Sequence, residues 1–163
     1  MTDPLLPPKK KDPQKRSRVP TLPPATRSRA AVGLTVAAAE GRFALQHCAE
    51  CGTVQYPPRD ACTGCLSVDL HWRDPETGGT VLAETRIHAS PDPYFRERMP
   101  WRMGSVQLDA GPVAVVHLRG EVGRGDRVNL ALKLDQAGQG ALIALPQDWS
   151  DEMHDDATLR ELT

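Results

Sequence analysis

Cys48-Ala49-Glu50-Cys51 and Cys62-Thr63-Gly64-Cys65 contain every cysteine of the chain. Each Cys-x-x-Cys turn can set two thiolates on one side of a tight loop, with backbone amides turned toward the sulfurs. Two such knuckles facing each other supply the four soft ligands of a tetrahedral zinc ion. The excursion between them, Gly52 to Ala61, has room for one short loop of chain and none for a domain. Cys48, Cys51, Cys62 and Cys65 are therefore expected to hold a structural metal. Iron in a similar knuckle pair remains chemically open. A thioredoxin-type redox pair would occur once, at a strand-to-helix junction, and this motif occurs twice without that context. Disulfides would suit a secreted chain, but Met1 to Lys11 shows no apolar signal core.

The sequence outside the knuckles reads mainly as β-strands. Phe43, Leu45 and His47 alternate with smaller or polar residues into the first knuckle, and Thr53 to Tyr56 forms a second short strand stopped by Pro57-Pro58. Leu70 and Trp72 alternate with His71 and Arg73, a strand that leaves the metal module. Upstream, alanine-rich Ala30 to Glu40 followed by Gly41 reads as a helix with a glycine C-cap, weakened by Gly33 and the β-branched Val32, Thr35 and Val36. Beyond Gly79, strands are expected at Thr80–Ala89, Ser105–Leu108, Val113–Leu118, Arg127–Leu134 and Ala141–Leu145, with a hairpin turn at Asp109-Ala110-Gly111-Pro112 and no internal helix. Five short strands of this size suit an OB-type barrel. The expected organisation is an arm (1–29), a helix plus zinc ribbon (30–73), a barrel (74–147) and a tail (148–163).

Charge is near balance overall but uneven along the 163 residues. The arm is proline-rich and basic, carrying Lys9, Lys10, Lys11, Lys15, Arg16, Arg18, Arg27 and Arg29, and is expected to be disordered. The tail is acidic, with Trp149 and Leu159 as candidate docking anchors. No segment has the length and apolarity of a membrane span, so the chain reads as soluble and cytoplasmic, with reduced thiols available for metal.

Taken together, Gly41-Arg42-Phe43-Ala44-Leu45-Gln46-His47 into the first knuckle, Gln55-Tyr56-Pro57-Pro58-Arg59, the second knuckle, Trp72, Gly79-Thr80-Val81 and Val106-Gln107-Leu108-Asp109 resemble a known family. It is the rubredoxin-like zinc-ribbon/OB-fold acyl-CoA-associated family, formerly a domain of unknown function. The resemblance covers about Ala30 to Leu145. Many members carry proline after the third cysteine, where this chain has Thr63. The resemblance implies an accessory, non-catalytic subunit in a hetero-oligomer with a thiolase-superfamily protein (a thiolase, aldolase or acyltransferase). Such a partner supplies the catalytic groups for chemistry beside a CoA thioester in lipid or aromatic-acid metabolism. No catalytic residue is assigned to this chain. Its cysteines are committed to metal, and its histidines His47, His71, His88, His117 and His154 form no nucleophile constellation.

The long interruption Ser90–Arg102 is where a barrel of this kind would carry function. There Arg96, Arg98, Trp101 and Arg102 could hold CoA phosphates and an adenine or acyl chain, or serve equally as anchors for a partner. His47 reads as strand packing beside the ribbon, His88 and His117 as barrel-face residues, and Arg59 as a side chain that bonds backbone carbonyls near the Pro-Pro turn. Nucleic-acid binding is the alternative, because zinc ribbons and OB barrels both serve it and the arm is basic. Against it, the expected barrel strands carry no Phe, Tyr or Trp for base stacking.

Overall fold

A computed structural model describes residues 19–149 and 157–163. Residues 1–18 of the arm and 150–156 of the tail lie outside the described residues, as do the side chains of 157–159, Leu159 among them.

A 3-10 turn at Arg29–Ala31 leads into helix α1 (Val32–Ala39). The helix ends in a Schellman motif: the Arg42 N–H donates to the Ala37 carbonyl at 2.9 Å and the Gly41 N–H to Ala38 at 3.1 Å. Gly41 sits at φ +69°, which an L side chain resists. Gly33, the residue that weakened the helix assignment, has a packing cause. A β-carbon there would fall inside the Trp72 indole, so the helix lies directly on the ribbon's last strand. Gly33→Ala should therefore lower the thermal unfolding midpoint although alanine is the better helix former by about 1 kcal/mol. A raised midpoint would show that the indole moves aside freely.

The ribbon is a three-stranded antiparallel sheet of β1 (Leu45–Cys48), β2 (Val54–Gln55) and β3 (Leu70–Arg73), ordered β2-β1-β3. The barrel contains β4 (Gly78–Ile87), β5 (Trp101–Leu108), β6 (Val113–Leu118), β7 (Arg127–Leu134) and β8 (Gly140–Pro146). It closes in the order β4-β5-β6-β8-β7; β6 and β8 run parallel and the other neighbours antiparallel. The fold is mainly β, with the helix, ribbon and five-stranded OB-type barrel that the sequence indicated.

Val106, Val116, Leu118, Val128 and Leu142 fill the barrel with compact aliphatic side chains, and Leu34 of α1 and Leu45 of β1 belong to the same core. Ribbon and barrel thus share apolar packing instead of meeting through a linker. The bidentate pair of Arg42 with Asp74, at 3.0 and 2.7 Å, ties the start of the ribbon to its exit.

Three details differ from the sequence expectation. A short helix, α2 (Pro93–Arg96), interrupts the long loop. The Asp92 carboxylate accepts from the Tyr94 and Phe95 N–H groups, and proline opens the helix, a start signal present in the sequence. Strand β5 begins at Trp101 and not at Ser105, so Trp101 and Arg102 are strand residues. Strand β4 ends at Ile87, which leaves His88 exposed beyond it.

A second apolar cluster lies outside the barrel. Trp101, Ala141, Ile143, Leu145 and Leu162 are buried there, with Phe95, Met103 and Trp149 packed against them. Helices α2 and α3 (Ala157–Leu162) cover this face. Strand β8 is consequently buried on both sides from Ala141 to Leu145, which accounts for its unbroken apolar run.

Candidate functional site: the four-cysteine centre and the capped barrel face

The four-cysteine centre is built by two knuckles with equivalent backbone bonds. In the first, the Gly52 N–H donates to the Cys48 carbonyl at 3.0 Å and the Cys48 N–H to the Thr53 carbonyl at 2.9 Å. In the second, the Leu66 N–H donates to Cys62 at 3.0 Å and the Cys62 N–H to Ser67 at 2.8 Å. The sulfurs of Cys48, Cys51, Cys62 and Cys65 all lie within 4.8 Å of one another, and two cross-knuckle pairs, Cys48–Cys65 and Cys51–Cys62, stand at 3.5 Å. A tetrahedral zinc with Zn–S bonds of about 2.3 Å requires sulfur separations of about 3.8 Å, so the four residues fit.

Their electrostatics fit as well. The Cys51 thiol is lowered to about 6 by bonds from the Thr53 hydroxyl and N–H and from Cys65 and Cys62. Backbone bonds from Cys65 and Gly64 lower Cys62. Cys65 is pushed up to about 12: the Ser67 N–H favours its thiolate, but its neighbours Cys51 and Cys48 hold the proton on it. Four thiolates cannot gather here without a cation to balance them. His47 is not among the ligands; it lies on β1, half-buried, directly opposite His71 of β3.

Two buried amides, Gln46 and Gln55, clamp the loop between the knuckles. Gln55 Nε2 donates to Gln46 Oε1 at 2.9 Å, Gln46 Nε2 donates to the Arg59 carbonyl at 3.0 Å, and Gln46 Oε1 accepts from the Arg59 N–H at 2.8 Å. Gln55 Oε1 accepts from the Thr63 N–H at 3.0 Å, which positions the second knuckle directly. The sequence expectation for Arg59 is corrected here: its main chain makes these bonds, and the residue is exposed. Gln46 and Gln55 went unassigned at the sequence level. Their signal was a pair of glutamines at opposed positions on two short strands.

The structure brings the loop residues together, but three of the four are engaged internally. Trp101 is 1% exposed, with its indole Nε1 donating to His117 Nδ1 at 2.9 Å. Arg98 lies over the Tyr94 ring at 3.9 Å, donates to the Tyr94 carbonyl at 2.9 Å and pairs with Glu161 at 3.2 Å. Arg102 bonds the Gly120 and Val122 carbonyls and pairs with Glu84 at 2.9 Å. Arg96, at the end of α2, is exposed. The cap draws in both extensions: Thr21 donates to Glu97 at 3.1 Å, Arg27 pairs with Asp135 at 3.1 Å, and Tyr94 donates to the Glu161 carbonyl. Trp149, a candidate anchor, is half-buried against the same cluster.

His117 lies under this cap, and its pKa falls to about 4, first through burial and then through the charges of Arg119 and Arg27. Because the folded value lies below the unfolded one of about 6.5, the unfolded state binds the proton first as pH falls. His117 thus imposes no penalty above pH ~6.5 and costs stability progressively down to about pH 4, by about 3 kcal/mol in total. His117→Gln keeps an acceptor for Trp101 and should flatten that part of the stability profile in urea unfolding between pH 7.5 and 4.5. An unchanged slope would place the proton elsewhere.

Two family models match the chain: the ChsH2 rubredoxin-like zinc ribbon domain over residues 35–71 and the ChsH2 C-terminal OB-fold domain over residues 72–133. The chain belongs to the ChsH2 family. Within solved structures, the ChsH2-type fold is similar to a chain of the "Ltp2-ChsH2(DUF35) aldolase", at TM-score 0.62 and 27% identity, covering 74% of this chain and 96% of that one. A curated relative, the "Probable enoyl-CoA hydratase alpha subunit" of Thermomonospora curvata, is 29% identical over 139 residues, which is 82% of this chain. This chain spans 43% of that relative's length. Among the described residues no helix is long and apolar enough to cross a membrane.

Proposed function

We propose that this chain is a cytoplasmic, non-catalytic zinc-binding subunit of a thiolase-like complex that acts on acyl-CoA thioesters. The observation that carries this reading is the likeness to a chain of the Ltp2-ChsH2(DUF35) aldolase, over 96% of that chain. The name of the curated relative, an enoyl-CoA hydratase subunit, supports CoA-thioester chemistry as the common theme. Zinc in the closed four-thiolate shell would hold the ribbon and leave no coordination position for substrate. The ribbon (30–73) and barrel (74–147) form the docking body, with 1–29 and 148–163 as extensions. The thiolase-superfamily partner supplies the catalytic groups, and this subunit helps form the acyl-CoA site. Of the four loop candidates, Arg96 is the exposed cation suited to a CoA phosphate or a partner carboxylate.

Nucleic-acid binding gains nothing from the structure, because Trp101, the aromatic that β5 carries, is sealed under the cap and offers no stacking face. The test is co-expression of the full chain with a thiolase-like protein from the same organism. Co-purification at a fixed ratio, with acyl-CoA turnover by the pair and none by this chain alone, is expected. Turnover by the isolated chain, or full partner activity and assembly without it, would overturn the reading. A titration with single-stranded DNA at low salt should show no binding.

A further inference from the structure

The two knuckles differ at the position that follows the second cysteine of each pair. The residue after the second cysteine of each pair donates its N–H back to the first cysteine's carbonyl and takes a left-handed conformation: Gly52 at φ +75° and Leu66 at φ +63°. Glycine accepts that conformation freely, whereas leucine is held there at a cost of about 1 kcal/mol. Among the described residues Leu66 is the non-glycine with positive φ. It recovers nothing by packing, since it is 78% exposed, and Val68, two residues on, is 80% exposed. A strained backbone that presents two apolar side chains to solvent is the pattern of a contact surface whose counterpart lies on another molecule.

The surroundings indicate the chemistry of that counterpart. The knuckle end of the ribbon carries exposed Glu50, Asp60 and Asp69 against Arg59, with His71 Nε2 lying 2.8 Å from the Asp69 carboxylate. The Ala49 N–H donates to the Asp69 carbonyl at 3.0 Å, which sets Asp69 and the Leu66–Val68 turn beside the first knuckle. We propose that Leu66 and Val68 form a docking pin on the second zinc knuckle that inserts into an apolar, basic-rimmed pocket of the thiolase-like partner. The backbone geometry that strains Leu66 aims it outward, and the acidic rim orients the encounter. The pin rests on the subunit reading above and names the surface that such a subunit uses.

The test measures affinity of the full chain for the thiolase-like protein by calorimetry, alongside zinc content and unfolding midpoint. Leu66→Asn suits a left-handed position, and together with Val68→Ser it removes the apolar pin. Zinc content should stay intact, the midpoint should be unchanged or raised, and affinity should fall about ten- to hundredfold. Leu66→Gly alone should relieve the strain, keep the fold and still weaken binding. Undiminished affinity in these variants, with the unaltered chain binding normally, overturns the pin and leaves the subunit reading standing. A midpoint that drops as for a core leucine assigns these residues to folding and also overturns it. Absence of binding by the unaltered chain overturns both. Concentration-dependent self-association that the variants abolish would make a second copy the occupant and reject the partner pocket.

Discussion

Cys48→Ser is expected to abolish zinc binding and to unfold the ribbon while the barrel persists. Cys48 and Cys62 are the two buried ligands, at 0% and 1% exposure, whereas Cys51 and Cys65 are exposed. A serine at Cys48 therefore leaves a buried hydroxyl in place of a ligand, with no solvent to complete the shell. Apparent binding energies of structural zinc in small ribbons run to about 10–16 kcal/mol, and that energy is folding energy. The ribbon has little else of its own: strand β2 is two residues long, and its aromatics Phe43, Tyr56 and Trp72 are only partly buried, packed against the core shared with the barrel. Zinc content should fall from about one per chain to near zero. Amide exchange should accelerate throughout β1, β2, β3 and the knuckles.

The consequences should spread unequally. Leu45 and Ala44 join the core shared with α1, so α1 should loosen with the ribbon. Strands β5 to β8 keep their ladder in either state and should remain protected. Cys51→Ser should be milder, since water can reach the position it vacates. Removing the metal from the unaltered chain with a strong chelator should reproduce the Cys48→Ser exchange pattern. If the metal-free ribbon kept its protection, Gln46, Gln55 and the shared core would be holding it unaided, and the metal would not be structural.

What the sequence revealed and what it hid follow the range of the interactions. The ribbon was legible because its ligands lie within one short segment and because β1 and β3 alternate visibly. The barrel was legible because an interior packed with Val, Leu and Ala leaves its period in β7 and β6. The capped face was hidden because it depends on partners far apart in the chain. Trp101 meets His117 on another strand, and Tyr94 reaches the Glu161 carbonyl at the other end of the sequence. At the start of β5 the alternation is disguised: Trp101 and Met103 face outward under the cap, while Arg102 and Gly104 occupy the other face. Aromatic and cationic residues in a loop of this kind look like a ligand site. Here the arginines mostly bond the chain's own carbonyls and carboxylates.

That distinction makes Trp101→Ala the sharpest test of what the loop is for. As a ligand-contact residue, Trp101 could be truncated with little effect on stability. Its surroundings point the other way. The ring lies at 5.2 Å from Phe95 and 6.4 Å from Tyr94, both edge-on, with the Arg119 guanidinium 4.4 Å from its centroid. Truncation would open a cavity between β8 and the two covering helices, leave His117 Nδ1 without its donor and remove the surface on which Leu162 is seated. Large-to-small changes at a buried tryptophan cost about 3–5 kcal/mol, which in a domain of this size lowers the midpoint by about 10 °C or more. The loss should be localised first. Amide exchange should rise in 93–101 and 157–162 before the barrel interior responds, because Val106, Val116 and Val128 belong to a separate cluster. Trp101→Phe should recover part of the packing and none of the His117 bond, giving an intermediate midpoint. If Trp101→Ala instead left the midpoint within about 1 °C and altered only affinity for a CoA thioester, the indole would be a binding group and the cap a movable cover over it.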